Sequence, residues 1–286
     1  MAAQEVAMLT DVSQCIGCKA CEVACKEWNQ LPAEKTSFQG SYQSHPDLTA
    51  HTWTVVRFTE QVKADGQVRW HFNKMSCMHC TEAACVLACP VEALRHDPSG
   101  AIRLETDRCI GCGYCEEACP FGAVHVDRQS FDTAKVAGKC TFCFDRISNG
   151  LEPACVHACP TDAIRFGPRE ELVGYGRQRV DELRKGGHAQ ANLYGEKELG
   201  GLHYMFVLTE KPEVYGLPAD PQVSPTQSFW KGILQPAGRV ILGAGVVGAL
   251  AHLVVASRSF GQREATEKAG QREKGGDGRH GPDSQV

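Results

Sequence analysis

The sequence has little net charge and only one long apolar stretch in its 286 residues. Its 30 Lys and Arg residues against 34 Asp and Glu residues give a net charge of −4, without the basic excess of proteins that bind nucleic acids. The sequence also lacks H-E-x-x-H, a phosphate-binding glycine loop and a convincing pairing of a nucleophile with a base. We therefore expect no nucleic-acid partner and no catalytic residue in this chain.

Cysteine, by contrast, is abundant, with 16 residues. Cysteine makes up a smaller fraction of this chain than the ~8–10% found in small disulfide-rich domains. A chain of this length can also bury a hydrophobic core without disulfide bonds. The cysteines are therefore expected to serve chemistry. They form four groups with none left over: group one is Cys15, Cys18, Cys21 and Cys25; group two is Cys77, Cys80, Cys85 and Cys89; group three is Cys109, Cys112, Cys115 and Cys119; group four is Cys140, Cys143, Cys155 and Cys159.

The spacing within the groups is that of iron–sulfur ligands. Groups one and three have the pattern C-x2-C-x2-C-x3-C, and groups two and four lengthen the gap before the third cysteine to four and eleven residues. In two-cluster bacterial ferredoxins the fourth cysteine of this pattern binds the other cluster. Two-residue gaps let three thiolates converge, and a fourth cysteine at i+4 from the third can reach a second cluster. A proline follows the last cysteine in groups two to four, at Pro90, Pro120 and Pro160.

Disulfide bonds and structural zinc both account for less of this pattern. Disulfides would need longer loops between adjacent members of a group. Structural zinc uses paired C-x2-C units and fits groups two and four taken alone, but it leaves the triple-cysteine runs of groups one and three unexplained. A zinc-bound scaffold without a redox role is the alternative from a different class of protein.

The expected fold class is α+β, with two nested ferredoxin-like units, inserted hairpins and one C-terminal transmembrane helix. Groups two and three define an inner unit at residues 77–120, and an outer unit would combine residues 10–30 and 138–166. Turn sequences predict hairpins at residues 93–104 and 53–72.

The four-cluster domain is expected to occupy residues 1–208. Apolar spacing predicts a helix from Pro168 to Lys185 that stops at the glycine pair after it, and the sequence from Leu202 to Leu208 favours a strand. The five prolines and weak periodicity of residues 209–239 predict an extended linker.

Residues 240–257 carry no formal charge and lie between Arg239 and Arg258, so they are close to the ~17–25 residues that span a bilayer as a helix. The stretch contains G-x-G-x-x-G at residues 243–248, but the polar residues after it cannot complete a dinucleotide-binding βαβ unit. We therefore predict a single transmembrane helix. The polar tail at 258–286 is expected to be disordered.

Flanking charge predicts the orientation of this helix. Lys and Arg residues are frequent after it, whereas Lys231 is the only one in the 20 residues before Arg239. The excess of positive charge places the tail in the cytoplasm and the cluster domain in the periplasm, in a single-pass protein of the cell inner membrane. No basic start or apolar run precedes Cys15, so we expect the domain to be exported on a partner's signal.

Four blocks resemble the four-cluster electron-transfer subunits that accompany molybdopterin enzymes of the dimethyl sulfoxide reductase superfamily. They are CIGCKACEVACKEW at 15–28, SCMHCTEAACVLACP at 76–90, CIGCGYCEEACPFG at 109–122 and KCTFCFDRISNGLEPACVHACPTDAI at 139–164. More narrowly, GGLHYMFVL at 200–208, GLPADP at 216–221 and SFWKG at 228–232 are similar to the beta subunits of membrane-bound formate dehydrogenases. Cys115 stands where nitrate reductase relatives have tryptophan, so the resemblance implies four complete 4Fe-4S clusters.

The resemblance also implies how the cysteines share the clusters. Set one is Cys15, Cys18, Cys21 and Cys159; set two is Cys140, Cys143, Cys155 and Cys25; set three is Cys77, Cys80, Cys85 and Cys119; set four is Cys109, Cys112, Cys115 and Cys89. The implied function is electron transfer from a molybdopterin formate dehydrogenase catalytic subunit to a membrane cytochrome b and quinone. The alternative within this class is the equivalent subunit of a membrane hydrogenase or a sulfur-compound reductase.

Overall fold

Short strands and short helices alternate along the chain in this computed structural model, which describes residues 5–38, 40–62, 66–128, 136–225 and 234–274, without the side chains of 235, 236, 239 and 258–274. The strands are β1 (Val6–Asp11), β2 (Val55–Val62), β3 (Val68–Met75), β4 (Leu94–His96), β5 (Ile102–Leu104), β6 (His125–Val126), β7 (Ala137–Gly138), β8 (Ile164–Pro168), β9 (Asn192–Tyr194) and β10 (Tyr204–Leu208). The helices are α1 (Ala20–Trp28), α2 (Ala84–Ala88), α3 (Tyr114–Ala118), α4 (Phe144–Ile147), α5 (Ala154–His157), α6 (Arg169–Lys185) and α7 (Gln235–Lys274). Two short 3-10 helices span Glu198–Gly200 and Pro212–Tyr215.

Strand β1 lies inside a four-stranded sheet with the order β8-β1-β10-β9. It pairs in parallel with β10 and antiparallel with β8. All five residues of β10 are buried, so both faces of this strand are covered. Because successive side chains of a strand point to opposite faces, Leu9 and Val207 face one core while Met8 and Phe206 face another.

Helix α6 covers the first of these faces. Its residues Leu172, Val180 and Leu183 are buried, and it begins after Pro168 and ends before Gly186, as the sequence predicts. We call the buried cluster on this face the α6 core. Its members are Ala7, Leu9, Leu172, Val180, Leu183, Ala191, Met205 and Val207. The α6 core contains no cysteine, whereas the core on the other face includes Cys21, Cys77, Cys140 and Cys155.

Two antiparallel strand pairs lie near the cysteine loops. Strands β2 and β3 pair from Val55 opposite Met75 to Val62 opposite Val68. Asp65, in the turn of the hairpin predicted at residues 53–72, lies outside the described residues. A side chain at Gly17 would lie 3.0 Å from the ring of Phe72 on β3, so this pair packs against the first cysteine loop. Strands β4 and β5 form the second pair.

The chain after β10 differs from the predicted extended linker. Pro212–Tyr215 form a 3-10 helix, and Tyr215 and Leu217 are buried. The Tyr215 hydroxyl lies 2.7 Å from Oγ1 of Thr209. The prediction was wrong for this part because a proline fits the first turn of a helix as well as an extended chain. Residues 226–233, later in the predicted linker, lie outside the described part.

The C-terminal unit, residues 229–286, is represented by α7. Within the described residues, Val240–Ser257 is the one helix segment long and apolar enough to cross a membrane, and no part of it is buried. Helix α7 continues to Lys274, so the expectation of disorder from residue 258 is wrong up to that point. This extension is rich in Ala, Glu, Gln and Lys, which favour helices. Residues 275–286 of the predicted tail lie outside the described part.

Candidate metal centres

The first two cysteines of all four groups lie on loops with the same backbone twist. The residue two positions after the first cysteine is left-handed in every case, with φ of 67° at Gly17, 47° at His79, 64° at Gly111 and 62° at Phe142. Glycine adopts this conformation most readily, and side chains such as those of His79 and Phe142 are held there by their surroundings. Such a left-handed turn points successive backbone N–H groups toward one anionic site.

The third cysteine also has a constant place. It is the second residue of a helix in each group: Cys21 in α1, Cys85 in α2, Cys115 in α3 and Cys155 in α5. A helix places the cysteine at i+4 one turn further on. The fourth cysteine therefore lies at or just beyond the end of the helix in groups two to four.

The chain reverses after the fourth cysteine where a proline follows. Glu92, Gly122 and Asp162, three residues after these cysteines, all have positive φ. In groups two and three the next residue donates its N–H to the cysteine sulfur, at 3.2 Å from Ala93 to Cys89 and 3.4 Å from Ala123 to Cys119. These donors stabilise a thiolate.

Group one departs from this arrangement. Lys26 replaces the proline, so α1 continues through Cys25 to Trp28. The side-chain amide of Asn29 lies 3.7 Å from the Cys25 sulfur and takes the place of the backbone donor. The different residue after Cys25 thus changes the helix length but keeps a donor beside the sulfur.

All sixteen cysteines lie within the described residues, and none of them forms a disulfide. Burial raises the pKa of Cys77 to about 11 and that of Cys25 to about 12. Such thiols stay protonated at neutral pH unless a metal ion displaces the proton. The buried sulfur atoms are thus suited to hold metal and poorly suited to react with solutes.

The structure brings together cysteines of different groups. Burial raises the pKa of Cys115 and of Cys143 to about 12. The other three members of set four raise the pKa of Cys115 further, and the other three members of set two do the same for Cys143. Burial and then the other three members of set three raise the pKa of Cys80 well above its usual value. For Cys15, burial is followed by upward contributions from Cys159 and Cys18 of set one. The fourth cysteine of each group therefore lies near cysteines of another group.

The donor geometry fits a multi-iron group better than a zinc ion. A tetrahedral zinc site needs sulfur atoms about 2.3 Å from one centre. Among the described residues, no three His, Cys, Asp or Glu side chains are close enough to hold a single metal ion. In a four-iron cluster each thiolate binds a different iron atom, so the four sulfur atoms enclose a wider space. Four thiols per set, with N–H donors on several sulfurs, fit that group.

His79 supplies a further polar atom inside this region. Its Nδ1 accepts the backbone N–H of Ile102 at 2.9 Å, so the ring proton is on Nε2. Nε2 is buried and has no hydrogen-bond partner within the part of the chain that the structure describes. The ring packs on Phe142, with centroids 4.6 Å apart. Because a buried donor without a partner is costly, Nε2 is suited to donate to the sulfur of a bound cluster.

Sequence reasoning missed two buried lysines, Lys74 and Lys139, which are 1% and 2% exposed. Each stands shortly before a cysteine group, Lys74 before Cys77 and Lys139 before Cys140. The short separation in sequence between each lysine and a cysteine group was the available signal for a role beside the clusters. It was overlooked because lysine is almost always exposed.

Two family models, both described as 4Fe-4S dicluster domain, match residues 14–93 and 68–169. The two ranges together contain all sixteen cysteines. The models therefore agree with the assignment of the cysteines to iron–sulfur clusters, and sixteen thiols fit four 4Fe-4S clusters.

Several characterised proteins are similar over most of the chain. The formate dehydrogenase iron-sulfur subunit of Haemophilus influenzae is 45% identical over 253 residues, which cover 87% of this chain and 80% of that protein. The nitrate-inducible formate dehydrogenase iron-sulfur subunit of Escherichia coli is 43% identical over 250 residues, covering 85% and 83%. The thiosulfate reductase electron transfer subunit PhsB of Salmonella typhi is 36% identical over 196 residues, covering 67% and 92%.

Proposed function

Because this chain belongs to the family of formate dehydrogenase iron–sulfur subunits, we propose that it conducts electrons from a molybdopterin catalytic subunit to a membrane cytochrome b and quinone. When bound, the four clusters supply centres that each accept and release an electron. The protein holds these centres at fixed positions, shields them from water and sets their potentials through nearby charge and hydrogen bonds.

In this proposal the four sets defined above are the cluster ligands. The observation that carries it is the exchange of cysteines between groups, in which the pKa of Cys115 is raised by burial and then by Cys109, Cys112 and Cys89. The packing supports the exchange, because Cys85 and Cys89 of group two lie in the same buried cluster as Cys115 of group three. Two nested ferredoxin-like units, groups two and three inside groups one and four, follow from this assignment.

The sets also follow a linear order. Three thiols have a pKa that is raised mainly by burial and then also by a cysteine of another set. Cys115 raises the pKa of Cys85, Cys140 raises that of Cys77, and Cys155 raises that of Cys21. These pairs connect set four with set three, set three with set two, and set two with set one. We therefore order the path as four, three, two and one.

The ends of this path lie at the surface. Cys18 of set one and Cys112 of set four are the two exposed cysteines, whereas sets two and three have none. Ile16 and Ile110, in the same loops, are also exposed, at 58% and 62%. Exposed apolar residues beside a cluster loop suit contact with a partner protein. Electrons would enter at one of these loops and leave at the other.

The membrane contact is assigned to Val240–Ser257 as a single span. The positive residues after the span support an orientation with the tail in the cytoplasm and the cluster domain in the periplasm of a cell with an inner membrane. The span would bring the domain close to a membrane cytochrome b.

Affinity purification of the full-length chain, followed by metal analysis and identification of the copurifying proteins, tests the proposal. The expected result is about sixteen iron atoms per chain, four per cluster, with a molybdopterin subunit and a cytochrome b. Zinc in place of iron would overturn the function. A thiosulfate reductase catalytic partner would instead support the second candidate, which the relative at 36% identity suggests.

A further inference from the structure

Lys74 and Lys139 are buried cations with neutral contacts. The Lys74 ammonium donates to Oγ of Ser76 at 3.0 Å and lies 4.3 Å from the centre of the Tyr204 ring. The Lys139 ammonium donates to the carbonyl oxygen of Cys140 at 2.9 Å and to that of Ile102. Among the described residues, neither lysine takes part in an ion pair.

A buried ammonium group without a counter-charge is costly. Removal of such a charge from water carries a large desolvation penalty, which a nearby negative charge offsets better than neutral hydrogen-bond acceptors do. A purely structural role therefore does not explain lysine at either position. The surroundings must supply negative charge when the protein is in its working state.

Iron-bound thiolates are the groups near both lysines that can supply it. Tyr204, whose ring lies against the Lys74 ammonium, belongs to the same buried cluster as Cys155, Cys140 and Cys21. In line with this packing, burial by itself lowers the pKa of Lys74, but Tyr204 and these thiols reverse that effect and raise it. These three thiols belong to sets two and one. Lys139 donates to the carbonyl oxygen of Ile102, whose N–H donates to Nδ1 of His79 in the loop between Cys77 and Cys80 of set three. In line with this contact, burial raises the pKa of Cys77 and of Cys85, both in set three, and Lys139 acts against that rise. The two lysines thus lie beside different sets.

We propose that Lys74 and Lys139 are fixed positive charges that raise the reduction potentials of neighbouring clusters, Lys74 for the clusters of sets one and two and Lys139 for the cluster of set three. The inference rests on the proposed function and its ligand sets. A cluster gains one negative charge when it is reduced, so a nearby cation stabilises the reduced form more than the oxidised form. The effect is large where water cannot screen it.

The positions of the lysines give this charge a role in the path. Lys74 packs on Tyr204 in the buried cluster that contains thiols of sets one and two, and Lys139 lies near set three and donates to the carbonyl oxygen of Cys140, the first cysteine of set two. Each lysine therefore acts at a junction between successive clusters. A cation at such a junction raises the reduction potentials of the two neighbouring clusters, so that neither potential is too low for that cluster to accept an electron.

The test is a redox titration of the intact complex, followed by electron paramagnetic resonance, for Lys74→Met and Lys139→Met. We expect Lys74→Met to lower the potential of a cluster of set one or two and to leave set four unchanged. Lys139→Met should lower the potential of the set-three cluster. Lys26→Met is the matched control, because Lys26 lies next to Cys25 but is partly exposed and paired with Glu34 at 3.4 Å. The shift in cluster potential caused by Lys26→Met should be smaller than the shifts caused by Lys74→Met and Lys139→Met.

Iron content and thermal unfolding of each variant separate the outcomes. If Lys74→Met or Lys139→Met does not load iron, Lys74→Gln or Lys139→Gln removes the same positive charge but keeps a polar side chain. Lys74→Arg and Lys139→Arg should keep the wild-type potentials. Full loading with unchanged potentials in both neutral variants refutes the inference while the proposed function stands. A wild-type protein without four clusters refutes the proposed function itself.

Discussion

Arg179 of α6 and Asp11 at the end of β1 form an ion pair, with 2.8 Å between Nε and Oδ2. The Asp11 side chain is fully buried, and its Oδ1 accepts the N–H of Ser13 at 2.9 Å. The pair therefore fixes the short segment that leads from the central strand to the first cysteine loop.

Arg179→Met should destabilise the domain by about 1–3 kcal/mol, because it leaves a buried carboxylate oxygen without its donor. Chemical denaturation of the iron-loaded protein would measure this loss. Arg177→Met is the control, since Arg177 pairs with Glu196 at the surface and should have little effect. Equal loss in both variants would contradict the role of Asp11.

Serine variants test the exchange of cysteines between groups two and three. Cys89→Ser and Cys109→Ser should alter the same cluster signal in electron paramagnetic resonance, because both residues belong to set four. Cys85→Ser should alter a different one. Iron would fall from about sixteen toward about twelve atoms if the affected cluster is lost. Identical spectra for Cys89→Ser and Cys85→Ser would show that each group binds its own cluster.

His79→Leu should lower the potential of a neighbouring cluster while iron content stays constant, because it removes the buried Nε2 donor. His79→Asn is the comparison, since asparagine tolerates a positive φ and keeps an N–H donor. The potential of His79→Asn is expected to lie closer to wild type. Redox titration measures both variants, and equal shifts would argue that only the ring packing on Phe142 matters.

Removal of iron by a chelator should affect the residues around groups two and three more than the α6 core. Cys85, Cys89 and Cys115 form a buried cluster with small apolar residues such as Ala83 and Ala93. Because metal binding is part of the folding energy of such a unit, its amides should exchange rapidly after chelation. The α6 core should keep more protection. Hydrogen exchange measures both, and uniform loss of protection would contradict this expectation.

Truncation after Ser228 should release the cluster domain into the soluble fraction with its iron unchanged, since residues 1–228 form their own compact unit. Deletion of residues 258–286 is the control, because it keeps Val240–Ser257 and should leave the protein in the membrane. Fractionation and iron analysis measure the outcome. Loss of iron on truncation would argue that the helix supports the cluster domain.

The sequence predicted those elements whose signals are local. The helix ending before Gly186 and the apolar span at 240–257 follow from periodicity and length. The central strand β1 was not predicted, because its partners β8 and β10 lie far along the chain. Tyr215 was missed for a similar reason, since its burial depends on packing against the distant β3 residue His71.

In the candidate site, too, some features follow from local sequence signals and others depend on tertiary structure. Ligand spacing is local because three thiolates must converge on one cluster, so the four groups are visible in the sequence. The neighbours of each fourth cysteine depend on tertiary structure, and their assignment came from the resemblance to known subunits. The position of Lys74 shortly before Cys77 is visible in the sequence, but its burial is not, because that depends on packing against Tyr204 of β10.

The parallel pairing of β1 with β10 constrains the order of biosynthesis. Thr10 and Tyr204, hydrogen bonded across these strands, are separated by 194 residues. The ribosome therefore releases all sixteen cysteines before the sheet beneath the first cysteine loop can close. Groups two and three can meet earlier, because they are adjacent in sequence. If the two units are nested as proposed, we expect iron loading of the outer unit to await the complete domain, whereas the inner unit can mature first.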